Sequence, residues 1–162
     1  FRAVKRAGIT AVKLPVLSVG IAEEEVRAIG PENLAGHLVA WNYYQSTESA
    51  ANETFVQAFQ ARYGDDEVTS DPVEAAYVGV HLWAKAVSAA GSIDRDDVVA
   101  ALDGLTFDAP EGRVTVDGST HHVHRTARIG VVSRHGRITE VWNSGKPIAP
   151  DPYLRTYPWW RA

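Results

Sequence analysis

Between Asp71 and Gly91 the chain spells one long helix with both ends marked, and the remaining segments must be arranged around it. In Asp71-Pro72-Val73-Glu74, Asp71 is placed as the N-cap, Pro72 as the first helical residue and Glu74 at the reciprocal capping-box position. Val73, Tyr77, Val80, Ala84 and Val87 then recur at helical spacing, and Gly91 supplies the stop. A second helix, capped by Asp94, is expected to run to about Asp103. Upstream, residues 1–8 read as a helix end closed by Gly8. The apolar, β-branched run of residues 12–19 reads as a buried strand. Glu23-Glu24-Glu25 opens a short helix to Gly30, residues 37–44 form another strand, and Ser49 caps a helix that carries Phe55 and Phe59 on one face and stops at Gly64. After Gly104 the pattern turns to strands at residues 113–116, 127–133 and 137–142, the last two joined as a hairpin around His135-Gly136. Beyond Ser144, Pro147, Pro150, Pro152 and Pro158 predict an extended tail packed by Tyr153, Tyr157, Trp159 and Trp160. Strands alternating with helices predict an α/β layered fold with a mostly parallel sheet.

With 162 residues, 45% of them hydrophobic and 22% charged, the chain has the composition of a soluble globular domain, which excludes long disorder and low-complexity classes. No window approaches the roughly 18 apolar residues of a membrane span, and Phe1-Arg2-Ala3-Val4-Lys5-Arg6 is not the start of a signal peptide. There is no Cys, so disulfides, thiolate catalysis and Cys-based zinc sites are excluded. There is no Met either, even at position 1, and the chain is expected to be cut from something longer. Charge is uneven: residues 1–111 carry 8 Lys and Arg against 17 Asp and Glu, net −9, whereas residues 112–162 carry 8 against 3, net +5. The arginines of the basic part are scattered singly through strand-like sequence and read as a solvated face. They form no arm that would bind nucleic acid.

Dinucleotide, Walker-type and nucleophile-elbow motifs are absent. His121-His122-Val123-His124 places His122 and His124 on one face of a strand, but no third metal ligand stands at familiar spacing, and an exposed polar turn accounts for it equally. In α/β sheets ligands bind outside the carboxyl ends of the strands, which directs attention to the loop Gly20, Ile21, Ala22 and Glu23. The Glu triplet is either helix-start chemistry or part of that site. As a site, its carboxylates repel an anion and favour a ligand that presents donors, such as a neutral amide, urea or an ammonium. Trp41, Tyr43, Tyr44 and Tyr77 are candidate walls, or simply core.

Several stretches carry a resemblance: Ile21-Ala22-Glu23-Glu24-Glu25, Asn33-Leu34-Ala35-Gly36-His37, Ala40-Trp41-Asn42-Tyr43-Tyr44-Gln45-Ser46, Asp71-Pro72-Val73-Glu74-Ala75-Ala76-Tyr77, Ala109-Pro110-Glu111-Gly112, Pro150-Asp151-Pro152-Tyr153-Leu154-Arg155 and Tyr157-Pro158-Trp159-Trp160. The chain resembles the C-terminal part of the urea-binding solute-binding proteins of ABC importers. Amide sensors and branched-chain amino acid binding proteins are the wider relatives. The resemblance implies a two-lobe type I periplasmic-binding-protein fold with Rossmann-like parallel sheets. Residues 1–68 would lie in the second lobe, 69–124 in the first, and 125–162 would return to the second and form the tail, leaving open sheet edges that need cover. It implies a non-enzymatic, extracytoplasmic protein with no cofactor, delivering urea or a short amide to ABC permease subunits. It also brings Glu74 and Tyr77 beside the loop Gly20 to Glu23 as ligand-binding residues. A cytoplasmic amide sensor regulating transcription, a branched-chain amino acid binder and a metal-dependent enzyme built on the His cluster are the competing readings.

Overall fold

A computed structural model describes the backbone of residues 1–161 and the side chains of residues 1–159. Its elements are α1 (Arg2–Arg6), β1 (Leu17–Ser18), α2 (Glu23–Ile29), β2 (Leu38–Trp41), α3 (Ala50–Tyr63), α4 (Asp71–Ala90), α5 (Arg95–Leu102), β3 (Thr106–Ala109), β4 (Gly112–Asp117), β5 (His122–His124), β6 (Arg128–Val132) and β7 (Ile138–Asn143). Ser49 Oγ accepts the Asn52 amide at 3.0 Å and Asp94 Oδ1 accepts the Asp96 amide at 2.9 Å, so the starts of α3 and α5 are capped as their sequences dictate. Gly91 closes α4 in the left-handed conformation, φ 63°.

Two sheets divide the strands. One has the order β1-β2-β6-β7 and the other is a β3-β4-β5 meander. Among the described residues only β1 and β2 pair in parallel; β6 returns antiparallel to β2 and forms the expected hairpin with β7. The buried strand expected at residues 12–19 shrinks to Leu17–Ser18. Lys13 and Leu14 donate their amides to the Thr10 carbonyl as a turn, and Val12 is 95% exposed. Pro15 cannot continue a ladder through this run, and among the described residues β1 has no partner on its outer edge to bury it.

Each sheet has its own apolar core. Val26, Leu34, Val39, Tyr44, Val132 and Ile138 close α2 onto the four-stranded sheet. Gly130 sits where a Cβ would meet Ile138 Cγ2 at 2.4 Å and Tyr44 Cζ at 2.9 Å, so backbone and buried ring approach as only glycine allows. Val78, Leu82, Ala109, Val114 and Val116 close α4 onto the meander. The buried stripe of α4 is therefore Asp71, Glu74, Val78, Leu82 and Ala86 in place of the expected Val73, Tyr77, Val80, Ala84 and Val87, and Val80 is exposed. Polar residues head this stripe because the first turn of α4 is buried against charged partners. The tail does not pack: Tyr153, Tyr157 and Trp159 are exposed, and the side chain of Trp160 lies outside the described residues.

Candidate ligand-binding site

The loop ahead of α2 follows the carboxyl end of β1. Gly20 is exposed and donates its amide to Ser18 Oγ at 3.3 Å. The Ile21 carbonyl accepts Trp41 Nε1 at 2.7 Å, and Ala22 is buried with its amide held by Glu25 Oε2 at 2.9 Å. The Glu triplet thus divides its work. Glu25 closes the helix start, Glu24 Oε1 accepts the Ser70 hydroxyl at 2.7 Å, and Glu23 turns inward. Glu23 is 5% exposed, and its Oε1 accepts the Gln45 amide at 2.8 Å. Its Oε2 is buried with no hydrogen-bond partner among the described residues. Burial, opposed only in part by the Gln45 amide, pushes the carboxyl up to about 7.

The start of α4 meets this loop from the other body. Ser70 occupies the N-cap position and Asp71 is already helical, which corrects the capping-box reading of Asp71 and Glu74. Asp71 Oδ1 reaches out of the helix to accept the amides of Asn42 at 2.9 Å and Tyr43 at 3.0 Å, tying α4 to the end of β2. Glu74 is fully buried; its Oε2 pairs with Arg125 Nη2 at 2.7 Å, and its Oε1 accepts the Glu111 amide at 3.3 Å. Desolvation first and the neighbouring Glu111 second push the Glu74 carboxyl up to about 7. Burial first, and the charges of Glu23 and Glu74 after it, raise the Tyr43 phenol. Tyr77 is half-buried in a ring ladder, with centroids 4.7 Å from Phe55 and 4.3 Å from His81, and no hydrogen bond joins it to Gly20, Ile21 or Ala22 among the described residues.

Two clefts adjoin these groups. One of about 500 Å³ runs along α2, lined by Glu23, Arg27, Gln45, Ser46, His135 and Arg137. Another of about 610 Å³ lies beyond it, where Glu111, Arg128, Arg137, Glu140 and Asn143 face the hydroxyl-rich turn before α3. Gln45 was not legible as a site residue, yet its amide holds Glu23 while its Oε1 accepts the Thr69 amide at 2.7 Å. Arg128 gives Nε to the Asn42 carbonyl at 2.8 Å, Nη2 to the Glu111 carbonyl at 2.7 Å and Nη1 to Glu140. The His cluster is spread out: His122 Nδ1 contacts the Thr120 carbonyl at 2.7 Å and His124 Nε2 lies 3.8 Å from Asp117. Among the described residues no three His, Asp or Glu converge on a metal position, and no helix is long and apolar enough to cross a membrane.

This architecture, two α/β bodies meeting at buried polar crossings, is that of a family. Residues 1–158 match the periplasmic binding protein domain, and the chain belongs to that family. Among its relatives, a limonene hydroxylase of Geobacillus stearothermophilus is 34% identical over 126 residues, 78% of this chain and 23% of that protein. A Leu/Ile/Val-binding protein homolog 6 of Brucella abortus is 29% identical over 113 residues, 69% of this chain and 29% of that protein. Among solved structures, the solute binding protein of an ABC transporter from Rhodopseudomonas palustris HaA2, in complex with p-hydroxybenzoic acid, superposes with a TM-score of 0.81 at 28% identity. That match covers 96% of this chain and 43% of the other. The chain therefore spans less than half the length of each of these relatives.

Proposed function

We propose that the chain is the C-terminal part of a solute-binding protein, not an enzyme, which captures a small uncharged solute bearing N–H donors, urea or a short amide, and delivers it to ABC permease subunits outside the cytoplasmic membrane. The body built on β1, β2, β6 and β7 is then the second lobe, residues 1–68 and 125–162, and the body of α4, α5 and the meander belongs to the first, residues 69–124. Family membership and the ABC-transporter names of the relatives support the role. The observation that carries the ligand class is Glu23 Oε2, a buried acceptor with no partner among the described residues, on a residue that lines the cleft along α2. A buried acceptor left unsatisfied costs roughly 1–3 kcal/mol, and a donor-bearing ligand relieves that cost. In this reading Gly20, Ile21 and Ala22 supply backbone to the same site, Glu74 and Tyr77 bound it from α4, and no cofactor takes part.

A carboxylate-bearing solute, an amino acid or an aromatic acid, is the second reading, favoured by Arg137. That residue lines both clefts, and its guanidinium has no ion pair among the described residues, whereas Arg125 and Arg128 are engaged by carboxylates. The two readings separate on Glu23→Gln in the intact protein. Replacing a charge-assisted acceptor lowers affinity for urea or acetamide by about one to two decades. Unchanged affinity for both would confine Glu23 to holding the Gln45 amide.

A further inference from the structure

Where the chain passes between its two bodies, one guanidinium gathers three carboxylates from two different elements. Arg125, on the short link from β5 to β6, places Nη2 2.7 Å from Glu74 Oε2 and 3.5 Å from Asp71 Oδ1, both on the first turn of α4. It also holds Glu111 Oε2, in the turn between β3 and β4, from Nε at 2.8 Å and from Nη2 at 2.5 Å. Asp71 and Glu74 in turn grip backbone amides at Asn42, Tyr43 and Glu111. Through these contacts Arg125, itself at one passage of the chain between the bodies, connects the end of β2, the start of α4 at the other passage and the tip of the meander.

Charge does not balance in this cluster. Arg128 on β6 faces it, but that guanidinium has its own partner, Glu140 on β7, and touches Glu111 only through its carbonyl. Glu23 on α2 and the Tyr43 phenol are the remaining titratable groups that feel it, and neither is cationic. Three nearly buried carboxylates thus share one cation, and Glu111 Oε1 is buried without a hydrogen-bond partner among the described residues. Such an arrangement is relieved when one carboxyl becomes a neutral acid.

We propose that Arg125 is a positioning residue that sets the register between the two bodies of the protein, and that Glu74 and Glu111, two of the carboxylates it gathers, share one proton in that register. These contacts lie within the chain itself and do not depend on which solute is bound. Burial raises the carboxyls of both Glu74 and Glu111, which agrees with a proton held between them. As pH rises that proton is lost, the uncompensated negative charge at the junction grows from one to two, and the contact between the bodies weakens.

The test uses the intact protein. Because this chain contains no Cys, exposed Ser88 on α4 and Arg134 in the β6–β7 turn can be changed to Cys and spin-labelled to read the separation of the bodies. Unfolding in guanidinium chloride, followed by tryptophan fluorescence from pH 5 to 8, reads the proton. Arg125→Met is expected to broaden the label distances and lower the unfolding midpoint at pH 8, with partial recovery of both at pH 5 as the carboxylates take up protons. Arg125→Lys is expected to keep the wild-type distance with a smaller loss of midpoint. Should Arg125→Met not fold, Glu111→Gln serves, and is expected to remove up to one unit from the slope of log unfolding constant against pH between about 5 and 7. Unchanged label distances in Arg125→Met with an equal midpoint loss at pH 5 and 8, or an unaltered slope in Glu111→Gln, would overturn the proposal.

Discussion

Glu23→Gln should change the pH dependence of stability more than stability itself. In the folded protein the Glu23 carboxyl is pushed up to about 7 by burial, whereas an unfolded chain leaves it at its ordinary 4.5. An acid whose folded value is raised binds more protons folded than unfolded. Its contribution is therefore fully present below about 4.5 and is lost as pH rises through about 7. At 1.36 kcal/mol per unit, the shift corresponds to about 2–3 kcal/mol between pH 5 and 8, as an upper bound. Glutamine keeps an oxygen for the Gln45 amide and does not titrate. The stability difference between wild type and Glu23→Gln should therefore shrink by about 2–3 kcal/mol from pH 5 to pH 8, with the glutamine variant gaining on wild type as pH rises. Guanidinium chloride unfolding at half-unit pH intervals measures this directly. A difference that stays constant across the range would show that Glu23 titrates like an exposed carboxylate and is not desolvated.

Asp71→Ala should cost about 3 kcal/mol, well above the loss of a helix cap, because the Asn42 and Tyr43 amides lose a charged acceptor; Asp71→Asn, which keeps one oxygen, should cost clearly less, and equal losses in denaturant unfolding would show that the two amides are satisfied elsewhere. Gly130→Ala should destabilise by about 1–3 kcal/mol as its methyl group meets the buried Ile138 and Tyr44 side chains; an unshifted thermal midpoint would mean that the β6–β7 pair yields freely.

Local signals were read where local chemistry decides. Ser49, Asp94, Gly64 and Gly91 bound their helices because a cap needs only its own neighbours. Asp71 and Glu74 were placed at the right helix start and given the wrong partners, since the groups that claim them, the Asn42 and Tyr43 amides and the Arg125 guanidinium, lie far along the chain. The uneven charge held a clue to this: acidic residues crowd the first 111 positions and arginines the rest, and at Arg125 that asymmetry becomes burial of acid against base. Read as a solvated face, it pointed away from the junction. The run at residues 12–19 misled for a related reason, since its apolar content belongs to a surface that the described residues leave uncovered. β3 was overlooked because Thr106–Ala109 is short and its partner stands only two residues further on. Strand-end topology directs attention to the loop from Gly20 to Glu23, but the inward turn of Glu23 depends on Gln45, whose role no motif announces.

The account rests most heavily on the ligand class, and isothermal calorimetry on the intact protein with urea, acetamide, leucine and 4-hydroxybenzoate tests it most directly. The account predicts saturable heat with urea or acetamide and tighter binding of either than of leucine. Saturable binding of leucine or 4-hydroxybenzoate, with no heat from urea or acetamide, would contradict it and pass the site to Arg137.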